Sequence, residues 1–138
     1  MNRQALIDQL QTELKTIADV GENVYTEWYM WDDAPNDQYP ILIVQGGSET
    51  PSYKDKSTLD TDFRAIIYGY VMDCEHREKK LNDLIQSVRE IVHQDPFSNS
   101  LTMDRQIVSI ATDEGIQKPY GIFKMEIYMW THENVSTR

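Results

Sequence analysis

Three short stretches bring together side chains capable of chemistry. Cys74-Glu75-His76 gathers a thiol, a carboxylate and an imidazole. Such groups hold a transition metal only when further ligands arrive from elsewhere, and the other histidines, His93 and His132, are scattered. The cluster reads as a strand-to-helix junction. Asp32-Asp33 with Asp37 offers hard oxygen ligands, but the glycine and terminal glutamate of a calcium loop are missing, so it reads as a solvated turn. Gly46-Gly47 is the nearest approach to a phosphate-binding loop. No Lys-Ser/Thr follows it and no helix opens there. There is no G-x-S-x-G elbow and no H-E-x-x-H pair. The residues predict no catalytic group, no metal site and no cofactor, and an enzyme is the poorer hypothesis.

Bulk properties narrow the partners. The 138 residues carry a net charge of −10. That balance opposes tight wrapping of nucleic acid, which depends on Lys and Arg neutralising phosphates. It suits solubility first, and would also suit a wall past which DNA slides without sticking. The single cysteine, Cys74, permits no internal disulfide and fits a reducing compartment. The first residues run straight into an amphipathic pattern without a signal-peptide core. No stretch approaches the roughly 20 apolar residues of a membrane span.

What the chain has in excess is aromatic surface: eight tyrosines and three tryptophans. The elements that must position them follow from periodicity. Leu6, Leu10, Leu14 and Ile17 recur at helical spacing and predict a helix over about 3–19. Val24 to Trp31 is β-branched and aromatic and reads as a strand. Pro40 opens a second, apolar strand, "PILIVQ". The polar stretch of about 46–61 then reads as a long flexible loop inside a single domain spanning 1–138. Asp62 to Met72 resumes as a strand. Asp73 is a plausible N-cap for a helix carrying Leu81, Leu84, Ile85, Val88, Ile91 and Val92, which stops before Pro96. Met103 to Thr112 and Tyr120 to Thr131 are the last strands, and a polar tail follows from 132 to 138.

The order α-β-β-β-α-β-β predicts an α+β fold, a mostly antiparallel sheet of about five strands with both helices on one face. Alternation along the strands then matters. If Phe63, Ile67, Val71, Phe123 and Ile127 face the helices, Tyr68, Tyr70, Tyr128 and Trp130 share the opposite face. Trp28 and Trp31 add to the aromatic set. These six residues are the interface candidates, because Tyr and Trp are enriched in interface cores. Gly46, Gly47, Tyr53, Lys54 and Lys56 mark the loop as a candidate assembly element that orders when subunits meet.

The whole pattern resembles the tail terminator proteins (tail completion or minor tail proteins) of long-tailed bacteriophages. The resemblance rests on an N-terminal helix followed by "VYTEW", then "YPILIVQGGSE", the polar stretch, "DFRAIIYGYVMD", the helix "KKLNDLIQSVREIVHQD" and the closing "IVSIATDEGIQKPYGIFKMEIYMW". It implies a structural virion protein, assembled in the host cytoplasm. Copies of it would form a ring, commonly a hexamer, that caps the head-proximal end of the tail tube. The ring would stop tube polymerisation and offer the head connector a docking surface, while DNA passes through its centre. The implied partners are further copies of itself, the tube protein and the connector protein. A head-closure, neck or tube-related ring protein is the nearest rival reading. A small acidic bacterial binding module is the rival from another class.

Overall fold

The computed structural model describes residues 2–35, 38–94, 102, 104–116 and 118–134. Helix α1 spans Arg3–Leu14, and the Asn2 side chain accepts a hydrogen bond from the Ala5 N–H at 3.1 Å. The helix stops short of the expected residue 19. The carbonyls of Glu13, Leu14 and Ile17 accept from residues three positions on, so the chain tightens into turns that end at Gly21, with φ +54°. Ile17 still packs on the core.

Strand β1 is only Val24–Tyr25, paired in parallel with Leu42 and Ile43. The strand expected to continue to Trp31 instead leaves the sheet edge, and a 3₁₀ turn forms at Trp31–Asp33. Strand β2 spans Ile41–Tyr53 and β3 spans Thr58–Met72. The predicted flexible loop at 46–61 is therefore a paired hairpin arm, and only 54–57 turn. Backbone pairing does not require apolar side chains. A β-bulge between Gly46 and Glu49 and an exposed run of side chains hide the strand signal here. Pro51 is tolerated because β2 is an edge strand at that point. The Asp55 carboxylate closes the turn, accepting from the N–H groups of Ser57 at 2.7 Å and Thr58 at 3.0 Å.

Helix α2 spans Arg77–Val92, and its N-cap position is His76, which makes no side-chain cap bond, and not Asp73. Asp73 organises the preceding turn: its Oδ1 accepts from the N–H groups of Glu75 at 2.7 Å and His76 at 2.6 Å. Strands β4, Asp104–Thr112, and β5, Tyr120–Asn134, complete the sheet. His132, Glu133 and Asn134 belong to β5, so the predicted polar tail starts later; positions 135–138 lie outside the described residues. Pro96, expected to end α2, lies outside them too.

The sheet has five strands in the order β1-β2-β3-β5-β4, antiparallel except at β1. The element order and the α+β class are those read from the sequence. Phe63, Ala65, Ile67 and Val71 of β3 and Phe123, Met125, Ile127 and Met129 of β5 pack against Leu6, Leu10 and Leu14 of α1 and Leu81, Leu84, Val88 and Val92 of α2. Arg105 on β4 is fully buried and binds this layer together. Its Nη2 lies 2.9 Å from Glu13 Oε1 on α1, and it donates to the Ile91 and Val92 carbonyls at the end of α2.

Candidate functional site

The face of the sheet turned away from the helices is laid out by strand register. Ile41, Tyr70 and Ile122 lie side by side at one end; then Ile43, Tyr68 and Lys124; then Gln45, Ile66 and Glu126. Beyond them Arg64 lies opposite Tyr128, Asp62 opposite Trp130, and Asp60 opposite His132. β4 adds Gln106 beside Tyr128 and Asp104 beside Trp130. The predicted side-chain parity therefore holds along β3 and β5.

The aromatic face is nonetheless not one open surface. The segment between β1 and β2 folds back over its first row. Tyr70 is 3% exposed, in a cluster with Ile41 and Ile43. The Trp31 ring stacks on it with centroids 4.4 Å apart, and Tyr120 meets Trp31 edge-on at 5.1 Å. Tyr25 and Tyr29 stack at 4.1 Å. The Tyr39 hydroxyl donates to the Trp31 carbonyl, and Tyr120 donates to the Asp32 carbonyl at 3.2 Å. Burial pushes the Tyr70 hydroxyl up to about 12, with the neighbouring Tyr68 adding to the effect. Burial likewise pushes Tyr39 up to about 12, helped by Tyr120. Trp31 and Tyr70 thus cover their own sheet. Tyr70 is closed off within the single chain, while Trp31 is half-buried over it.

The remaining candidates are less enclosed. Trp28 is 62% exposed and sits edge-on to Tyr68, with 6.4 Å between ring centroids. The Arg64 guanidinium lies over the Tyr128 ring, 5.4 Å from its centroid, and is held by Asp62 at 3.3 Å. Partial burial raises the Tyr128 hydroxyl above its usual range, and the nearby Asp62 and Asp104 carboxylates act in the same direction. Trp130 is half-buried between Asp62 and Asp104. At the far end His132 Nδ1 lies 2.5 Å from Asp60 Oδ1, and Lys54 reaches the same carboxylate at 3.6 Å. That bond with His132 holds the Asp60 carboxyl below its usual range.

The arm residues divide in two. Gly46 and Gly47 sit at the bulge, where Arg3 of α1 donates to the Gly47 carbonyl at 2.9 Å and pairs with Glu49 at 3.0 Å. A Cβ at Gly46 would come 2.8 Å from Arg3 Nη2, so this glycine makes room for the guanidinium. Tyr53, Lys54 and Lys56 are exposed at the arm's end. Residues that sequence reasoning missed include Arg64, whose even position on β3 already placed it beside Tyr128. Ile116 is another: it is 80% exposed on the β4–β5 turn, and an apolar side chain inside "DEGI" was its only signal.

Nothing in this arrangement assembles catalytic machinery. Among the described residues no three His, Cys, Asp or Glu side chains gather as a metal site. Cys74 is exposed. Among the described residues no helix is long and apolar enough to cross a membrane.

No curated protein matches the chain. One family model, described as Bacteriophage Tail Tube Terminator Protein, matches residues 2–136, nearly the full length. The chain belongs to the bacteriophage tail tube terminator family, a family of structural virion proteins.

Proposed function

We propose that copies of this protein join into a closed ring, six-fold in the family's usual form, on the head-proximal end of the tail tube. The ring ends tube growth, gives the head connector its landing surface and lets DNA pass through without specific contacts. Trp28, Tyr68, Tyr128 and Trp130 lie in or beside contacts between subunits or with the tube, and Tyr53, Lys54 and Lys56 at the arm's end reach a neighbouring component.

The observation that carries this reading is the incomplete cover of the outer sheet face. The segment between β1 and β2 shields Tyr70 but leaves Trp28 62% exposed and Tyr128 and Trp130 only half-buried. An aromatic patch of this kind is characteristic of interaction surfaces. The sheet edges support it. β1 pairs only with Leu42 and Ile43, so β2 from Gln45 to Tyr53 has no outer strand partner among the described residues, and neither does β4. β4 carries the uncharged run Ile107–Thr112, which no lysine or proline blunts. The charge of −10 supports passage of DNA without adhesion.

Sedimentation velocity over a range of concentrations, with electron microscopy of the protein alone and mixed with tail tubes, tests the reading. The expected result is a ring in solution or at one end of each tube. A chain that stays monomeric and binds neither tube end overturns it.

A further inference from the structure

Two features at one end of the molecule are chemically matched yet do not touch. The first is a hollow of about 400 Å³ between α2, the turns after α1 and the end of β3. Ile17, Tyr39, Pro40, Val71, Met72 and Leu84 give it an apolar lining, and Asp19, Lys80, Asp83 and Ser87 stand at its polar side. Asp83 is already bound to Lys79 at 2.8 Å, and Lys80 to Asp73 at 2.8 Å. Asp19 is exposed and has no ion-pair partner among the described residues.

The second feature is the β4–β5 turn. Its first half is hydrogen-bonded: the Asp113 carbonyl accepts from Ile116 N–H at 3.1 Å, and the Asp113 carboxylate accepts from Ile122 N–H at 3.4 Å. Glu114 and Gly115 adopt φ of +55° and +85°. Gly115 lies against Arg77 at the start of α2, where a Cβ would come 2.9 Å from the guanidinium. Ile116 stands out from it, 80% exposed, more than any other large apolar residue described. Lys118, two residues on, is exposed and has no ion-pair partner among the described residues.

Hollow and projection lie at the same end of the sheet, where β3 finishes at Met72 opposite the first residue of β5, Tyr120. They sit at different places along the strand order: the hollow opens toward the turns after α1 and the start of β2, the projection stands at the β4–β5 edge. A branched aliphatic side chain followed by a lone cation matches an apolar hollow beside a lone carboxylate. Because one copy holds both halves at different places, a second copy placed by rotation can join them, and repetition of such a heterologous contact closes a ring.

We infer that Ile116 of one subunit inserts into the hollow formed by Ile17, Tyr39, Val71 and Leu84 of a second copy of this chain, with Lys118 directed at Asp19. This rests on the ring reading above and specifies its joint.

Two variants block opposite halves of the joint. Ile116→Asp removes the projection and Ser87→Trp fills the hollow. Circular dichroism and thermal melting confirm that each keeps its fold. Each variant alone is expected to sediment as a monomer under conditions where the unmodified protein forms rings. Mixed in equal amounts they are expected to form dimers and nothing larger, because one projection and one hollow remain. Lys118→Glu is expected to weaken assembly about threefold, and adding Asp19→Lys to restore it. Folded variants that form rings as the unmodified protein does, or a mixture that stays monomeric, overturn the joint and leave the ring reading standing. An unmodified protein that stays monomeric even with tube ends present overturns both.

Discussion

The Trp31 indole lies nearly parallel to the Tyr70 ring, 4.4 Å between centroids and 11° between planes. This contact closes the β1–β2 connection over the sheet, since Tyr120 and the Tyr39 hydroxyl also converge on Trp31. Trp31→Ala removes the stacked area and exposes Ile41 and Ile43. It is expected to cost about 3 kcal/mol of folding stability, read from urea unfolding. A loss under about 0.5 kcal/mol, the range of ordinary surface substitutions, would mean the cover contributes nothing.

Arg105 is the buried post between the two helices and β4. Its side chain is 0% exposed, and its partner Glu13 is 15% exposed. Arg105→Met strands that carboxylate and leaves the carbonyls of Ile91 and Val92 without their charged donor. The expected loss is about 3 kcal/mol. Glu13→Gln keeps one acceptor for the guanidinium and is expected to cost less. The paired unfolding curves test the order.

Gly69 faces Phe123 across β3 and β5. A Cβ at Gly69 would come 2.0 Å from the Phe123 ring, which lies over the glycine. Phe123 is fully buried. Gly69→Ala is expected to destabilise by about 3 kcal/mol, whereas the same change in a strand without this contact is mild. Differential scanning calorimetry gives the answer.

Alkaline pH should loosen the aromatic cover. Tyr39 and Tyr70 hold their protons to about 12 in the folded chain, against about 10 when unfolded. The folded state binds more protons between those values, so stability from these groups is complete below pH 10 and is lost as pH rises toward 12. Thermal melting should fall over that window. Spectrophotometric titration should show part of the tyrosine absorbance change delayed beyond pH 10, and Tyr39→Phe should reduce the delayed part.

Trp130 and Tyr68 separate folding from assembly. Both are half-buried on the outer face, Tyr68 at the margin of the β1–β2 connection beside Trp28 and Trp130 farther along the strands. Trp130→Glu or Tyr68→Glu is expected to leave the monomer's melting temperature within a few degrees of the unmodified protein while abolishing ring formation, since an interface core tolerates an unpaired charge poorly. A Trp130→Glu chain that fails to fold would place that residue in the core.

Much of the fold was legible because periodicity reports burial directly. The stripe Leu81, Leu84, Val88 and Val92 could face only a core, and the alternation Phe123, Met125, Ile127 and Met129 could line only one face of a strand. The strands of the arm were not legible. Residues 50–57 are exposed, so their side chains carry no burial signal, and only backbone pairing defines β2 there. The Val24–Trp31 run misled for the opposite reason. Its composition favours a strand, but tertiary contact with Tyr70 stabilised it as a cover.

By itself the sequence determined the element order, the two helical stripes and which residues of β3 and β5 turn away from the helices, because these follow from spacing along one chain. Only the tertiary structure decided that Trp31 and Tyr70 satisfy one another, that Arg105 meets Glu13, and that Ile116 stands exposed while an apolar hollow lies toward the start of β2. Those are relations between residues 39 to 92 positions apart, or between a surface and its surroundings. No local pattern records them, because each depends on how the sheet's register and the helix packing bring distant segments together.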